Sequence, residues 1–320
     1  MNKKQIGVIA MLIAAFGLAF AVLLMKIIPM ATNLQPQDVA IWRFTIGAPA
    51  LWLILLLKKK PKPASLKSLW RFLALGGIYS AANFSAVFAL QRLPSSIYII
   101  IFFIYPSLVI LYALLSGGAV PRLFWIGLPL TMVGLFLTSF EFGSVFSVDP
   151  VGLLITVANA CVVAAYMVLS EKVFRAAGDH LIGTTFVFTG AMLAGFFMIP
   201  FLGVHTPGSI QGWALLIALS IIGTLIPIFA MNIGLGLLTA ARGSIIITIQ
   251  PVLNILLGVL FLHESLSLQQ WIGGGIVILA VILLQRSPDR VSRIEAGRNE
   301  ILPPGRARIT RGDYAGRRKG

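Results

Sequence analysis

The sequence contains a stretch of twenty residues, 96–115, that carries no charged side chain but has a proline, Pro106, near its centre. About 20 apolar residues in a helix are enough to cross the hydrocarbon layer of a membrane, whereas a proline removes one of the backbone hydrogen bonds of that helix. The segment 241–260 repeats the feature 145 residues later, with Pro251 in the place of Pro106 and eight of twenty aligned positions identical. The chain therefore contains the same interrupted apolar segment twice.

The composition places the whole chain in a membrane. Of its 320 residues 58% are hydrophobic and 11% are charged, whereas soluble domains are about half apolar and about a quarter charged. The apolar residues extend along the chain, so a cleaved signal peptide does not account for residues 5–29. We predict an all-α integral membrane protein with ten transmembrane helices. They lie at about 5–29, 38–57, 69–90, 95–115, 121–139, 150–170, 181–203, 210–235, 242–262 and 269–285.

The basic residues of the short loops predict the orientation. With the N-terminus on the cytoplasmic side, twelve of the lysines and arginines before residue 286 are cytoplasmic, and only Lys26, Arg43 and Arg92 lie toward the outside. Cytoplasmic loops of membrane proteins are enriched in these residues. Both termini are therefore predicted to be cytoplasmic. The membrane is predicted to be a bacterial inner membrane.

The spacing of 145 residues recurs beyond the proline segments. It relates Gly7 to Gly152 and Phe84 to Phe229, and with one added residue it relates Trp125 to Trp271. Each copy contains five predicted spans, and an odd number of spans makes the second copy enter from the opposite face. We predict two inverted repeats, 1–145 and 146–286, followed by a basic, disordered cytoplasmic tail at 287–320. Inverted repeats are typical of secondary transporters whose substrate site lies near the bilayer midplane.

The second proline segment also carries a family resemblance. The segment from Ala241 begins with small residues, contains the mid-helix Pro251 and continues as an apolar run that closes on Glu264 and a Leu-Ser turn. It resembles the signature of EamA-type permeases of the drug/metabolite transporter superfamily. Arg43 and Lys26 are similar to that family's basic residues in the second and first spans. The resemblance implies a ten-helix permease with a central cavity lined by spans one, three, four, six, eight and nine, and a structural role for Glu264. The sequence departs from the family at Phe16, where the family usually has Trp, and at Gly118 and Ala119, the first-half counterparts of His263 and Glu264.

Candidate site residues follow from the interrupted helices. A backbone group freed by proline is tolerated at membrane depth only against protein or a water-filled cavity, so Pro106 and Pro251 are expected to bend or gate two helices that meet beside the transport pathway. Hydrogen bonds between packed helices, or anchoring of the outer tyrosines at the interface, explain the polar side chains of these spans equally well. The candidate substrate contacts are Tyr79, Asn83, Tyr98, Tyr105, Asn159, Tyr166, Asn232, Gln250 and Asn254.

Charged and metal-binding residues limit the chemistry. No Asp or Glu lies in the middle of a predicted span, which leaves no membrane-buried carboxylate for a proton relay. Lys26 and Arg43 lie toward the outer mouth, where they attract a carboxylate or phosphate group or extend to the interface. Cys161 is the single cysteine, which excludes an intramolecular disulfide and leaves no cysteine cluster for a metal. We expect no metal and no cofactor. The net charge of +15 belongs mostly to loops and tail, and we expect lipid and a small molecule, not nucleic acid, as partners.

These observations favour a secondary transporter, an exporter by family analogy, of a small neutral or zwitterionic organic metabolite such as an amino acid. It would work by alternating access around a midplane cavity. One alternative is a carrier of sugar phosphates or nucleotide sugars, which would need several cations in its cavity. Another is a membrane-embedded lipid-modifying enzyme, which would need clustered reactive side chains at one membrane face.

Overall fold

The computed structural model describes residues 2–58, 66–117, 123–139, 149–176, 179–262 and 267–285. Within these residues the secondary structure is helical throughout, with no strand. The first half contains α1 (Lys3–Ala31), α2 (Pro36–Leu57), α3 (Leu66–Leu90), α4 (Ser95–Phe102), α5 (Tyr105–Leu115) and α6 (Phe124–Ser139). The second contains α7 (Pro150–Arg175), α8 (His180–Leu202), α9 (Ile210–Ser220), a π-helical turn (Ile221–Leu225), α10 (Ile226–Leu237), α11 (Ala240–Ile247), α12 (Gln250–Leu262) and α13 (Leu268–Gln285).

Eight of the helical segments in the described residues are long and apolar enough to cross a membrane, with α4–α5, α9–α10 and α11–α12 each counted as one segment. Predicted spans five and ten correspond to shorter apolar helices, Phe124–Thr138 and Leu268–Leu283. Helix α6, with 16 residues, extends about 24 Å at 1.5 Å per residue. The tail 287–320 and Glu264 lie outside the described residues.

Local sequence accounts for where several helices begin. The first N–H groups of a helix have no partner within it, and an Asn, Asp, Ser or Thr side chain placed before the helix accepts from them. Proline is also well tolerated in the first turn, and α2 and α7 begin with one. The capping side chains are Asn2 of α1, Asp149 of α7, Asp179 of α8, Ser209 of α9 and Thr239 of α11.

The helix bounds repeat at the spacing found in the sequence. Adding 145 to the bounds of α4, Ser95–Phe102, gives those of α11, Ala240–Ile247. The same shift brings α2 to within one residue of α8 at each end. Contacts repeat with the halves exchanged, because α1 packs against α10 as α7 packs against α3, while α6 packs against α13. This exchange of equivalent contacts is what an approximate two-fold relation between the halves produces.

Both proline-containing segments are interrupted two residues before the proline. Helix α4 ends at Phe102 and α5 begins at Tyr105, and α11 and α12 are separated in the same way. At the breaks the N–H of Ile104 donates to the Ile101 carbonyl at 3.1 Å, and the N–H of Ile249 donates to the Ile246 carbonyl at 3.3 Å. These are bonds to the third rather than the fourth preceding residue, which tighten the chain. Each proline is thus the second residue of a new helix, where its missing N–H leaves no bond unmade.

The π-helical turn at Ile221–Leu225 distinguishes the second half from the first. Its counterpart 145 residues earlier lies within α3, which remains α-helical. The Thr224 hydroxyl donates to the Leu219 carbonyl at 2.9 Å, and Pro227 follows two residues after the turn. Such turns occur mostly as single bulges and are frequent at functional sites.

Candidate functional site

Arg43 lies at the centre of a polar cluster that joins the two halves. Its side chain is buried, with 4% of the residue exposed. Nε donates to the Thr224 hydroxyl of the π-helical turn at 3.1 Å, and Nη1 donates to Oδ1 of Asn83 on α3 at 2.9 Å. The sulfur of Met25 lies 4.0 Å from Nη1. The position of Arg43 toward the outer mouth stays a prediction; the structure shows its guanidinium buried and bound by neutral acceptors.

Aromatic rings continue from this arginine toward α7. The guanidinium carbon of Arg43 lies 5.2 Å from the centroid of the Phe44 ring. The Phe44 ring contacts Tyr79 edge to face at 5.8 Å between centroids, and Tyr79 contacts Tyr166 at 4.9 Å. Asn83 donates through Nδ2 to the Tyr79 carbonyl at 2.8 Å. Two candidate residues, Tyr79 and Asn83, therefore lie beside Arg43, and a third, Tyr166, continues the aromatic row.

A second polar cluster connects three helices of the second half. The Tyr166 hydroxyl of α7 donates to Oδ1 of Asn232 on α10 at 3.0 Å. Nδ2 of Asn232 donates to the Thr184 hydroxyl of α8 at 3.1 Å. Tyr166 is 2% exposed, and Asn232 and Thr184 are fully buried. These bonds satisfy buried polar groups between packed helices.

A third cluster ties the first half to α7. The Tyr98 hydroxyl of α4 donates to Oδ1 of Asn159 on α7 at 3.0 Å. Nδ2 of Asn159 donates to the Ala82 carbonyl at 2.5 Å and to the Ser85 hydroxyl at 2.6 Å, both on α3. Asn159 is fully buried, and both ends of its amide are used. It therefore joins α3, α4 and α7 at one point.

The two interrupted segments contact each other through Tyr105. Its hydroxyl lies 3.4 Å from the Ser244 carbonyl of α11, to which it donates. The N–H of Thr248 would bond this carbonyl in a regular α-helix but donates to Ile245 at 3.1 Å. Tyr105 of the first segment thus bonds a carbonyl freed by the break in the second. Both prolines are buried against protein.

The remaining predicted residues of α12 and α1 have different surroundings. Gln250 and Asn254 are half-buried. The Oδ1 atom of Asn254 is inaccessible, and no hydrogen-bond donor within the described ranges reaches it. An amide oxygen in this state is uncommon in folded proteins. Lys26 is exposed.

Sequence reasoning missed a buried carboxylate near the start of α2. Asp38 is fully buried, accepts from the Gln35 N–H at 2.8 Å, and holds both the backbone N–H and Nδ1 of His205 at 3.0 and 3.1 Å. The Trp42 indole donates to the His205 carbonyl at 2.8 Å. The available signal was an acidic residue three positions after Gln35, as in a capping box. Its partner lies 167 residues away, which local sequence does not reveal.

Two further contacts join the halves at exposed positions. Arg92 bonds Asp149 at 3.1 Å, and the pKa of the Asp149 carboxyl lies below its usual value because Arg92 and the Val151 N–H donate hydrogen bonds to it. The Lys172 ammonium donates to the Tyr112 hydroxyl and lies 4.9 Å from the centre of the same ring. The exposed side chain of Tyr112 therefore contacts α7 through Lys172.

The fold and the site define a class: a multi-pass helical membrane protein whose buried polar side chains connect two structurally repeated halves. Comparison with known proteins identifies the family. The sequence profile of the EamA-like transporter family matches the chain twice, at residues 5–140 and 150–286. The chain belongs to the EamA-like transporter family and is a membrane transporter.

Named relatives agree with this assignment. An uncharacterized transporter of Bacillus subtilis (strain 168), YcbK, is 26% identical over 263 residues, covering 77% of this chain and 82% of its own length. An uncharacterized transporter of Archaeoglobus fulgidus is 24% identical over 214 residues, covering 67% of this chain and 75% of its own. A crystal structure of a protein with 21% identity superposes with a TM-score of 0.73 over 89% of this chain and 98% of that one, which shows the same fold.

The family resemblance found in the proline segment is confirmed, and so is an all-helical, multi-pass membrane transporter built from two repeats. The ten-span count, the cytoplasmic termini and the roles of individual site residues stay predictions.

Proposed function

We propose that this chain is a secondary transporter that exports a small neutral or zwitterionic organic metabolite, such as an amino acid, by alternating access between its two halves. One observation carries the proposal: the buried Arg43 of the first match donates to the Thr224 hydroxyl of the second match and to the Asn83 side chain of its own match. A site bounded by both halves is where rocking of one half against the other changes access. The bacterial inner membrane is the proposed location, and export is proposed on the family resemblance alone.

The proposed topology has ten spans in two inverted repeats, with 287–320 as a cytoplasmic tail. The excess of Lys and Arg in the loops assigned to the cytoplasm supports this orientation. Reporters fused before Asn2 and after Gln285 are both expected to report a cytoplasmic position, and a reporter in the connection between α8 and α9 an external one. Termini on opposite sides would contradict ten spans and the inverted repeat.

The polar groups favour a cargo with little net charge. The side chains that line the three clusters are hydroxyls, amides and aromatic rings, and Arg43 is the buried charge among them. A sugar phosphate carries more negative charge than one guanidinium balances. An enzyme would need reactive side chains held together, and the described residues contain no group of three or more His, Cys, Asp or Glu at metal-binding distance.

The decisive experiment measures flux in proteoliposomes. Purified protein is expected to give saturable uptake of at least one compound from a panel of zwitterionic amino acids, neutral polyols and sugar phosphates, and the recovered compound is expected to be chemically unchanged. Liposomes without protein provide the background. A chemically altered product, or saturable flux of sugar phosphates alone, would contradict the proposed function. For direction, cells that overproduce the protein are expected to lose a preloaded substrate faster than cells with an empty vector.

Within the proposed site, Asn254 offers a test that separates function from folding. Because its Oδ1 has no protein donor in the described part of the chain, we propose that it accepts a hydrogen bond from the cargo. Asn254→Leu is expected to lower flux by about tenfold, the effect of losing one good hydrogen bond, and to leave the melting temperature in detergent within a few degrees of the parent. Asn33→Leu, at an exposed loop position, is the matched control and is expected to transport like the parent. Parental flux in Asn254→Leu would remove Asn254 from the site.

A further inference from the structure

Arg43 is a buried charge for which the described part of the chain supplies no carboxylate. Four carboxylates occur in that part, and each is engaged elsewhere. Asp38 holds His205 and the Gln35 N–H, Asp149 pairs with Arg92, Glu171 pairs with Arg175, and Asp179 caps α8. The partners of Arg43 are the Thr224 hydroxyl, the Asn83 amide oxygen, the Met25 sulfur and the Tyr79 side chain, none of which is a carboxylate.

Neutral acceptors satisfy hydrogen bonds but do not neutralise the charge. An arginine stays protonated in proteins, and burying a charge without an opposite charge is unfavourable even when its N–H groups are bonded. A chain that keeps such a residue in its interior is expected to gain a compensating anion in some state of its working cycle. In a transporter the available anion is a group on the cargo.

The surroundings of Arg43 narrow that anion to a carboxylate. The guanidinium has five N–H donors in a planar fork that matches the two oxygens of a carboxylate. Thr224, Asn83, Met25 and Tyr79 now take up part of this fork, so a carboxylate binds by replacing some of them. One guanidinium balances the single negative charge of a carboxylate, whereas a phosphate monoester at neutral pH carries close to two. The row of Phe44, Tyr79 and Tyr166 rings begins beside the guanidinium, and Tyr79, which is only partly buried, is the ring of this row that the rest of the molecule can contact.

The position of Arg43 couples such binding to movement of the halves. Arg43 is the eighth residue of α2, so it lies about 10 Å along the helix from its start. It links α2 and α3 to the π-helical turn, 181 residues further along the chain. A carboxylate that bonds the guanidinium competes with the Thr224 and Asn83 acceptors and thus acts on a contact between the two halves.

We propose that Arg43 binds the carboxylate of the transported molecule and thereby restricts the cargo to zwitterions or monocarboxylates. This inference rests on the proposed transporter function. It excludes uncharged cargo, which that function by itself permits.

The test compares acids with their amides. Proteoliposomes containing the parent protein are supplied with each of the standard amino acids and with the corresponding carboxamide, which keeps the side chain and amino group but removes the negative charge. The acid of a transported pair is expected to enter at least about tenfold faster than its amide, because a charge-assisted bond is lost. Arg43→Gln is expected to reduce acid flux by a similar factor and to bring the ratio of acid to amide flux close to one.

Two further variants, Arg43→Lys and Thr224→Val, keep the inference testable if Arg43→Gln fails to fold. Arg43→Lys keeps the charge without the fork and is expected to retain a preference for the acid at reduced flux. Thr224→Val keeps the guanidinium but removes one acceptor and is expected to retain the preference. Arg92→Gln is the matched control, since Arg92 is exposed and bonds Asp149, and its ratio is expected to equal that of the parent.

The outcomes separate this inference from the proposed function. Equal flux of acid and amide in the parent, saturable flux of a polyol, or an unchanged ratio in folded Arg43→Gln would overturn the role of Arg43 while leaving a transporter. Faster flux of a phosphate ester than of the amino acids would contradict the inference that Arg43 binds a carboxylate. Absence of saturable flux for every compound would contradict the proposed function and the inference with it.

Discussion

Gly76→Ala is expected to be among the most damaging single-methyl changes in the protein. A Cβ at this position would overlap the Val187 carbonyl and would lie 2.7 Å from the Ala191 nitrogen and 2.9 Å from the Gly190 Cα. All three atoms belong to the backbone of α8, which cannot move aside as a flexible side chain can. Helices α3 and α8 would have to separate, although close approach at small residues is a main source of packing between membrane helices.

The expected cost exceeds the 1–3 kcal/mol that is typical of adding a methylene to a packed core, because two backbones rather than two side chains are forced apart. The measurement is the yield of monodisperse protein and its melting temperature in mild detergent. Both are expected to fall sharply for Gly76→Ala.

The neighbouring glycine provides the matched control. Nothing lies within 4 Å of a Cβ built at Gly77, and alanine is favoured over glycine in a helix by about 1 kcal/mol. Gly77→Ala is therefore expected to match or exceed the parent in stability. Two glycines of α13 allow the same comparison. A Cβ at Gly273 would lie 2.8 Å from the Gly134 carbonyl, whereas a Cβ at Gly275 would have open space, so Gly273→Ala is the damaging change and Gly275→Ala its control. Equal stability of Gly76→Ala and Gly77→Ala would show that α3 and α8 are not packed as described.

Asn159→Leu is expected to destabilise the protein and to reduce transport with it. Leucine has a similar size but removes the acceptor of the Tyr98 hydroxyl and the donor to the Ala82 carbonyl and the Ser85 hydroxyl. Leaving a buried polar group without its partner costs roughly 1–3 kcal/mol. Hydrogen bonds between membrane helices contribute about 0.6 kcal/mol each on average. The loss of three such bonds at Asn159 is therefore expected to lower the stability of the protein by about 2 kcal/mol.

The experiment compares melting temperatures of the two asparagine variants in detergent. Asn254→Leu serves as the control, because Oδ1 of Asn254 has no donor among the described residues to lose. We expect a clear drop in melting temperature for Asn159→Leu and little change for Asn254→Leu. Tyr98→Phe removes one of the three bonds and is expected to lie between the parent and Asn159→Leu. If both leucine variants melted at the same temperature as the parent, Asn159 would not hold α3, α4 and α7 together.

The sequence alone supports these expectations to different degrees. The sequence predicts Tyr98, Asn159 and Tyr166 as candidates because they are polar side chains within apolar spans. Whether each bonds another helix or a substrate was left open, since both uses place the same residue types at the same depth. The structure gives protein partners to these three, while the amide oxygen of Asn254 has no donor in the described ranges.

The sequence by itself determined the local features of the chain and its internal repeat. Apolar length marked the spans, the 145-residue spacing marked the two halves, and Pro106 and Pro251 marked the helix interruptions now seen two residues before them. The spans and the interruptions follow from local rules, because span length depends on membrane thickness and a proline acts on its own backbone. The two halves follow from comparing the sequence with itself.

Only the tertiary structure decided which distant residues meet. It brings Arg43 into contact with Thr224, Asp38 with His205 and Gly76 with Gly190. It also contains a π-helical turn at Ile221–Leu225 whose counterpart in α3 is α-helical. Local pattern carries no information about such pairs because their members lie more than a hundred residues apart and belong to different repeats. Whether a buried arginine is balanced, or a glycine is needed, depends on the helix that packs against it, and that choice is made by the fold as a whole.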